Sequence, residues 1–278
     1  MLKRIITSIL ALCVFVPAII FSDTMLFPVL VAACAFLGCY EMFSCTGFKN
    51  NILLTLPVYA AALVLPIAKR LILPETFTKL SLCLAGLIVV YMLCVAVLQH
   101  KKISVTDLGL AFAGCFYIIF AFIGIMYLHD DIEYGKYIYL LVFICAWITD
   151  IFAYFTGWLL GKHKLIPEVS PKKTVEGAIG GTVFCIAATV IFGVVIVNLF
   201  NPNGTIEANY ILLGISGLLL SVVSQLGDLV MSLIKRHYGI KDYGKIFPGH
   251  GGILDRFDSV MAVCVVLTFI CTYFNLLV

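Results

Sequence analysis

Apolar residues along this chain fall into nine runs, at about residues 5–22, 24–43, 51–68, 77–98, 107–128, 137–160, 177–200, 209–233 and 256–277. A helix of about 20 apolar residues crosses the hydrocarbon of a bilayer. The pattern therefore predicts an all-α, polytopic integral membrane protein with about nine transmembrane helices. Turn formers such as Asn201, Pro202, Asn203 and Gly204 mark the breaks between runs. The first run follows Lys3 and Arg4 as in a signal peptide, but no small-residue cleavage site precedes Asp23, so a retained span is expected.

Lysine and arginine in the short connections orient the spans. With the N-terminus in the cytoplasm, fourteen of the eighteen Lys and Arg fall on the cytoplasmic side, and the C-terminus lies outside. Lys69 and Arg70, after the third run, fit this arrangement worst. Residues 1–135 form an N-terminal set of about five spans with almost no intramembrane charge. Residues 136–278 form a C-terminal region of about four spans and basic loops, where the chemistry is expected.

Composition agrees with a membrane protein: 63% of the 278 residues are apolar, 12% are charged, and the mean hydropathy is +1.13. Soluble domains carry about 25% charged residues. No polar stretch is long enough for a separate extramembrane domain. A net charge of +3 is too small to suggest nucleic acid as a partner. The eleven cysteines are odd in number, and nearly all sit inside apolar runs without ligand spacing, so they read as small buried hydrophobes. No internal repeat is visible, which argues against an inverted-repeat transporter.

Against this background the stretch Ser232 to Asp258 stands out, with five Lys/Arg, two His and three Asp between two apolar runs. Charge beside lipid costs about 2.5 to 3.5 kcal/mol per residue on insertion scales unless paired or wetted. A polyanion held with a metal would answer that cost. Pro248, Gly249, His250, Gly251 and Gly252 make a loop that cannot be helical, and amides in such a loop can wrap an anion. Asp255, Asp258 and Ser259 then open the last helix at i, i+3 and i+4. Capping by Asp255 would explain one of those carboxylates but not the second.

The eighth run supplies a partner. Ser221, Ser224, Gln225, Asp228, Ser232 and Lys235 share one helical face, and such a stripe must avoid lipid. Asp228 and Ser232, one turn apart, can present oxygens to one hard cation. In the sixth run Asp150, Tyr154, Gly157 and Gly161 share a stripe, read either as a packing seam with Asp150 held by a local hydroxyl or as one wall of a polar cavity, the latter favoured. Between the sixth and seventh runs, Ser170, Pro171, Lys172, Lys173 and Thr174 precede a helix start. They are either a topology-setting basic loop or a phosphate cradle. Carboxylates on adjacent helices ringed by bases suit phosphoryl or nucleotidyl transfer assisted by a divalent metal, since Mg²⁺ takes one or two carboxylates plus water and phosphate oxygens.

From Ser232 the chain passes through Lys235, Arg236, Lys241, Asp242, Gly244, Phe247, Pro248, His250, Gly251, Gly252, Asp255, Arg256 and Asp258. This spacing resembles the C-terminal signature of the phosphatidate cytidylyltransferases (CDP-diacylglycerol synthases). Asp150 with Ala153, Tyr154 and Gly157, the Ser170–Gly177 segment, and Gln225, Gly227 and Asp228 are similar to that family as well. The resemblance covers about residues 146–258, and the first five spans are similar only in count and hydrophobicity.

The resemblance implies that CTP and phosphatidic acid react to give CDP-diacylglycerol and pyrophosphate. It also implies a Mg²⁺ requirement, with a second metal ion left open, and a homodimer in the inner membrane with its site facing the cytoplasm. In the expected site Asp228 and Asp255 hold the metal, with Asp258, Asp150 and Ser232 as further or supporting ligands. Lys172, Lys173, Lys235, Arg236, Lys241 and Arg256 bind phosphates, Ser170, Thr174, Gly251 and Gly252 line the anion cradles, and His250 hydrogen-bonds the leaving group. Two other classes compete: an anion or lipid transporter, which would need a polar path through the bilayer, and a CDP-alcohol phosphotransferase, whose paired Asp motif is absent.

Overall fold

A computed structural model describes residues 12–201, 204–249 and 251–278. Lys3, Arg4, Pro202, Asn203, His250 and the start of the first run lie outside the described residues. A helical segment at 12–20 precedes nine named helices: α1 (Leu26–Cys45), α2 (Ile52–Leu71), α3 (Pro74–Leu98), α4 (Val105–Asp130), α5 (Gly135–Ile138), α6 (Leu140–Leu160), α7 (Val175–Leu199), α8 (Tyr210–His237) and α9 (Leu254–Tyr273). Helices lie along the second to ninth apolar runs and along the described part of the first. Among the described residues seven are long and apolar enough to cross a membrane: α1 to α4, α5 continued by α6, α7 and α8. The chain is a multi-pass membrane protein.

The connection between α6 and α7, expected as a loop, is an antiparallel hairpin of β1 (Lys164–Ile166) and β2 (Ser170–Thr174). Pro167 and Pro171 allow this because proline is tolerated at turns and edge strands. All eleven cysteines are free; six of them are buried as expected, whereas Cys13, Cys83 and Cys94 are exposed although they too lie in apolar runs.

The chain forms two compact units. One comprises Met1–Met126 with Tyr238–Arg256, and the other Tyr127–His237 with Phe257–Val278. The basic stretch after α8 falls within the first of these units.

In the first unit α1 packs along α2. Arg70, at the end of α2, donates to the carbonyls of Ser22 and Thr24 at 2.7 and 2.8 Å, and Lys69 Nζ lies 5.5 Å from the Phe77 ring centroid. Both side chains are used to join helix ends. In the second unit α7 packs along both α6 and α8. Small residues of the sixth and seventh runs make the first seam: a Cβ on Gly157 would lie 2.7 Å from Thr174 Oγ1, and one on Gly181 would lie 2.8 Å from the Thr149 carbonyl. Tyr154, expected on the same stripe, points outward at 68% exposure.

Candidate active site

The polar stripe of α8 faces protein, as its sequence requires. Its upper part ties α8 to α7: Ser221 Oγ donates to Thr182 Oγ1 at 3.1 Å, and Gln225 Nε2 donates to the Ala178 carbonyl at 3.3 Å. Ser224 is fully buried, and among the described residues its hydroxyl finds no hydrogen-bond partner. One turn further on, Ser232 Oγ donates to Asp228 Oδ1 at 3.3 Å, so the expected Asp228 and Ser232 pair is formed.

Lys173 joins this pair from the hairpin. Its Nζ lies 2.7 Å from Asp228 Oδ2 and 3.3 Å from the Gln225 carbonyl, with the two charged side chains about a quarter exposed at 24% and 28%. Neighbouring Lys172 is exposed to solvent. The N-terminus of α7 is less open than a phosphate cradle needs. Thr174 caps it, accepting from Gly177 N at 3.1 Å. Glu176 accepts from Lys162 N at 3.1 Å and pairs with His163 Nδ1 at 2.6 Å. Thr174 therefore shapes the hairpin that carries Lys172 and Lys173, and its hydroxyl is committed to the helix.

Helix α9 closes the cluster. Gly227 lets it approach α8, since a Cβ there would sit 2.5 Å from Ala262 Cβ and 3.0 Å from the Asp258 carbonyl. Asp258 is 8% exposed, its Oδ1 accepts from Ser259 N at 2.9 Å, and its charged neighbours are Asp228, Asp150 and Lys235. Ser259 Oγ donates to Asp150 Oδ2 at 2.9 Å. Asp150 is therefore held by a hydroxyl, but one from another helix, which places it on the wall of the carboxylate cluster. Asp150, Asp228 and Asp258 are brought together with Lys173, Lys235, Ser232 and Ser259.

The glycine-rich stretch behaves differently from expectation. Its amides wrap carboxylates of the protein itself: Asp255 Oδ2 accepts from Tyr243 N at 2.8 Å and Gly252 N at 2.9 Å, and Glu41 accepts from Ile253 N and Leu254 N. Gly251 has φ +85°, and a Cβ on it would lie 2.6 Å from Asp255 Oδ2, so only glycine suits the turn. Asp255 thus spends one oxygen on building the loop. Arg236, Lys241 and Arg256 are exposed. Tyr238 begins the stretch by donating to Asp107 Oδ1 at 2.7 Å, and burial, with the Asp107 carboxylate alongside, pushes its phenol well above the usual range. Glu41, Tyr238 and Asp107 were missed in the sequence. A lone acid inside an apolar run was the available signal for Glu41.

Comparison with known proteins gives this arrangement a context. A profile described as the cytidylyltransferase family matches residues 2–274. The chain belongs to the cytidylyltransferase family. As a member, it is 37% identical over 270 residues to the phosphatidate cytidylyltransferase of Staphylococcus haemolyticus (strain JCSC1435), covering 94% of this chain and 95% of the relative. The phosphatidate cytidylyltransferase of Bacillus subtilis (strain 168) is 35% identical over 280 residues, covering 99% of both. That of Staphylococcus saprophyticus is 38% identical over 266 residues, covering 94% of this chain and 95% of the relative. The family match therefore extends well beyond residues 146–258 and runs through the first five spans, where Glu41 lies.

Metal binding in this cytidylyltransferase can be tested against its donor set. Among the described residues no group of three or more His, Cys, Asp or Glu side chains is arranged to hold a metal ion, so a cage made wholly by the protein is absent. The facing carboxylates of Asp228 and Asp258 are hard oxygen donors with like charge. They fit an ion such as Mg²⁺, which keeps waters and takes its remaining ligands from phosphate.

Proposed function

We propose that this chain is a membrane nucleotidyltransferase that joins CTP to phosphatidic acid, giving CDP-diacylglycerol and pyrophosphate. The observation that carries the reading is the cluster of Asp228, Asp258 and Asp150 with Lys173 bonded to Asp228, in a chain that aligns end to end with bacterial phosphatidate cytidylyltransferases.

The attacking group is the lipid phosphomonoester, whose second pKa near 6 leaves it largely dianionic at neutral pH. A strong general base is therefore unnecessary, and the barrier is the approach of two anions. Lys173 and Lys235 bring positive charge beside the carboxylates, where phosphate oxygens meet ammonium groups already positioned. Exposed Lys172, Arg236, Lys241 and Arg256 gather the remaining phosphate charge, and His250 hydrogen-bonds the leaving pyrophosphate. Asp228 and Asp258 would hold Mg²⁺, with Asp150 and Ser232 in support, and the ion would neutralise phosphate charge as the pyrophosphate leaves. Asp255, one turn before Asp258 on α9, is assigned to the site through the family's motif.

In the same reading the chain crosses the inner membrane nine times with its N-terminus in the cytoplasm, its C-terminus outside and the site facing the cytoplasm, and it acts as a homodimer. The distribution of Lys and Arg supports that topology, and the structural use of Lys69 and Arg70 removes its worst exception. Asp228→Asn tests the site. Turnover in membranes that hold folded protein should be abolished, and substantial retained activity would refute the role given to Asp228.

A further inference from the structure

Glu41 sits in α1, a span whose sequence suggested packing alone, and it is 2% exposed. Each of its carboxylate oxygens takes one backbone amide: Ile253 N donates to Oε1 at 3.0 Å, and Leu254 N to Oε2 at 2.8 Å. Those amides open α9, where the first N–H groups of a helix lack intrahelical partners and the dipole favours an anion. Two glycines leave room for the carboxylate, because a Cβ on Gly244 or on Gly252 would overlap it. Gly252 has no positive φ, so space is what that position requires. The next amide back, Gly252 N, is held by Asp255 Oδ2, so three successive amides are gripped by two carboxylates.

A buried carboxylate is costly, and an apolar side chain would often stabilise such a place as well. We propose that Glu41 is a positioning residue for the transferase reaction: it fixes the first turn of α9 and thereby the direction in which Asp255 is presented. A carboxylate delivered from a packed helix holds both amides in one geometry. The inference rests on the proposed reaction and on Asp255 belonging to the site, and Asp255→Asn tests that assignment separately.

Glu41→Gln sets an amide donor against one of the two backbone donors. Its kcat per folded molecule should fall about 10- to 100-fold, the scale of a displaced reacting group, while KM for CTP stays within about twofold. Unchanged kcat per folded molecule, with only the yield of folded protein reduced, would overturn the inference by making Glu41 a folding residue. Gly252→Ala, which keeps the Glu41 carboxylate but pushes it off the amides, should lower kcat similarly. Adding Glu41→Asp, shorter by one methylene, should restore about fivefold or more; no restoration overturns the inference. Loss of folded protein in all of these variants overturns it too. An active Asp255→Asn would instead sink the site assignment, whereas an inactive Asp255→Asn beside a fully active Glu41→Gln sinks this inference alone.

Discussion

Replacing Gly227 by alanine should separate α8 from α9 at the level where they carry Asp228 and Asp258. The added methyl would lie 2.5 Å from Ala262 Cβ and 3.0 Å from the Asp258 carbonyl. Carbon atoms rest at about 3.5–4.0 Å from one another, so the interface must open by on the order of 1 Å. Overpacking of this kind costs about 1–3 kcal/mol of stability. A displacement of about 1 Å at the reacting groups costs on the order of 10²-fold in rate. The activity loss should therefore exceed the stability loss, and turnover per folded molecule, measured beside the thermal midpoint in detergent, separates the two. Ala262→Gly in the same chain removes the nearer clash and should recover most of the rate. Wild-type turnover in Gly227→Ala, or a compensated pair no better than the single variant, would refute the placement of the site between these helices.

Lys173→Met removes a charge-assisted bond at 2.7 Å, worth about 1.5–3 kcal/mol, and should raise KM for CTP or phosphatidic acid about tenfold or more; an unchanged KM in a substrate titration would sink its phosphate role. Lys172→Ala should raise KM for one of the two substrates with the thermal midpoint unmoved, because its side chain is exposed; an unchanged KM for both would remove it from the site. Thr174→Ala should cost about 1 kcal/mol through loss of the α7 cap, with Thr174→Ser restoring it; equal thermal midpoints would show that the cap is unimportant. Chelation by EDTA should stop turnover and added Mg²⁺ should restore it, whereas full activity in EDTA would remove the metal from the account.

Much of this was legible in the sequence because a bilayer leaves the chain few choices. Backbone polar groups must be satisfied inside each segment, so apolar runs became helices, and the stripe through Ser221, Gln225 and Asp228 had to face protein. What the sequence hid depended on contacts between distant residues. Glu41 lies about two hundred positions before the amides it binds, and nothing local to α1 names them. The glycine-rich stretch announced that amides would be free to wrap an anion, yet whether that anion was substrate or the protein's own carboxylate was a matter of packing. The partners of Lys69 and Arg70 were hidden for the same reason: their charge was visible, while the Phe77 ring and the carbonyls of Ser22 and Thr24 that use it were not.

The central claim is that a carboxylate and lysine cluster around Asp228 runs the transfer of a cytidylyl group to a lipid phosphate. Purified protein incubated with labelled CTP, phosphatidic acid and Mg²⁺ tests it most directly, scored for CDP-lipid and pyrophosphate with Asp228→Asn alongside. Equal amounts of both products from the wild-type chain, and neither from the variant, is the predicted result. CTP left unconsumed by folded wild-type protein, or product formed equally well by Asp228→Asn, would contradict it.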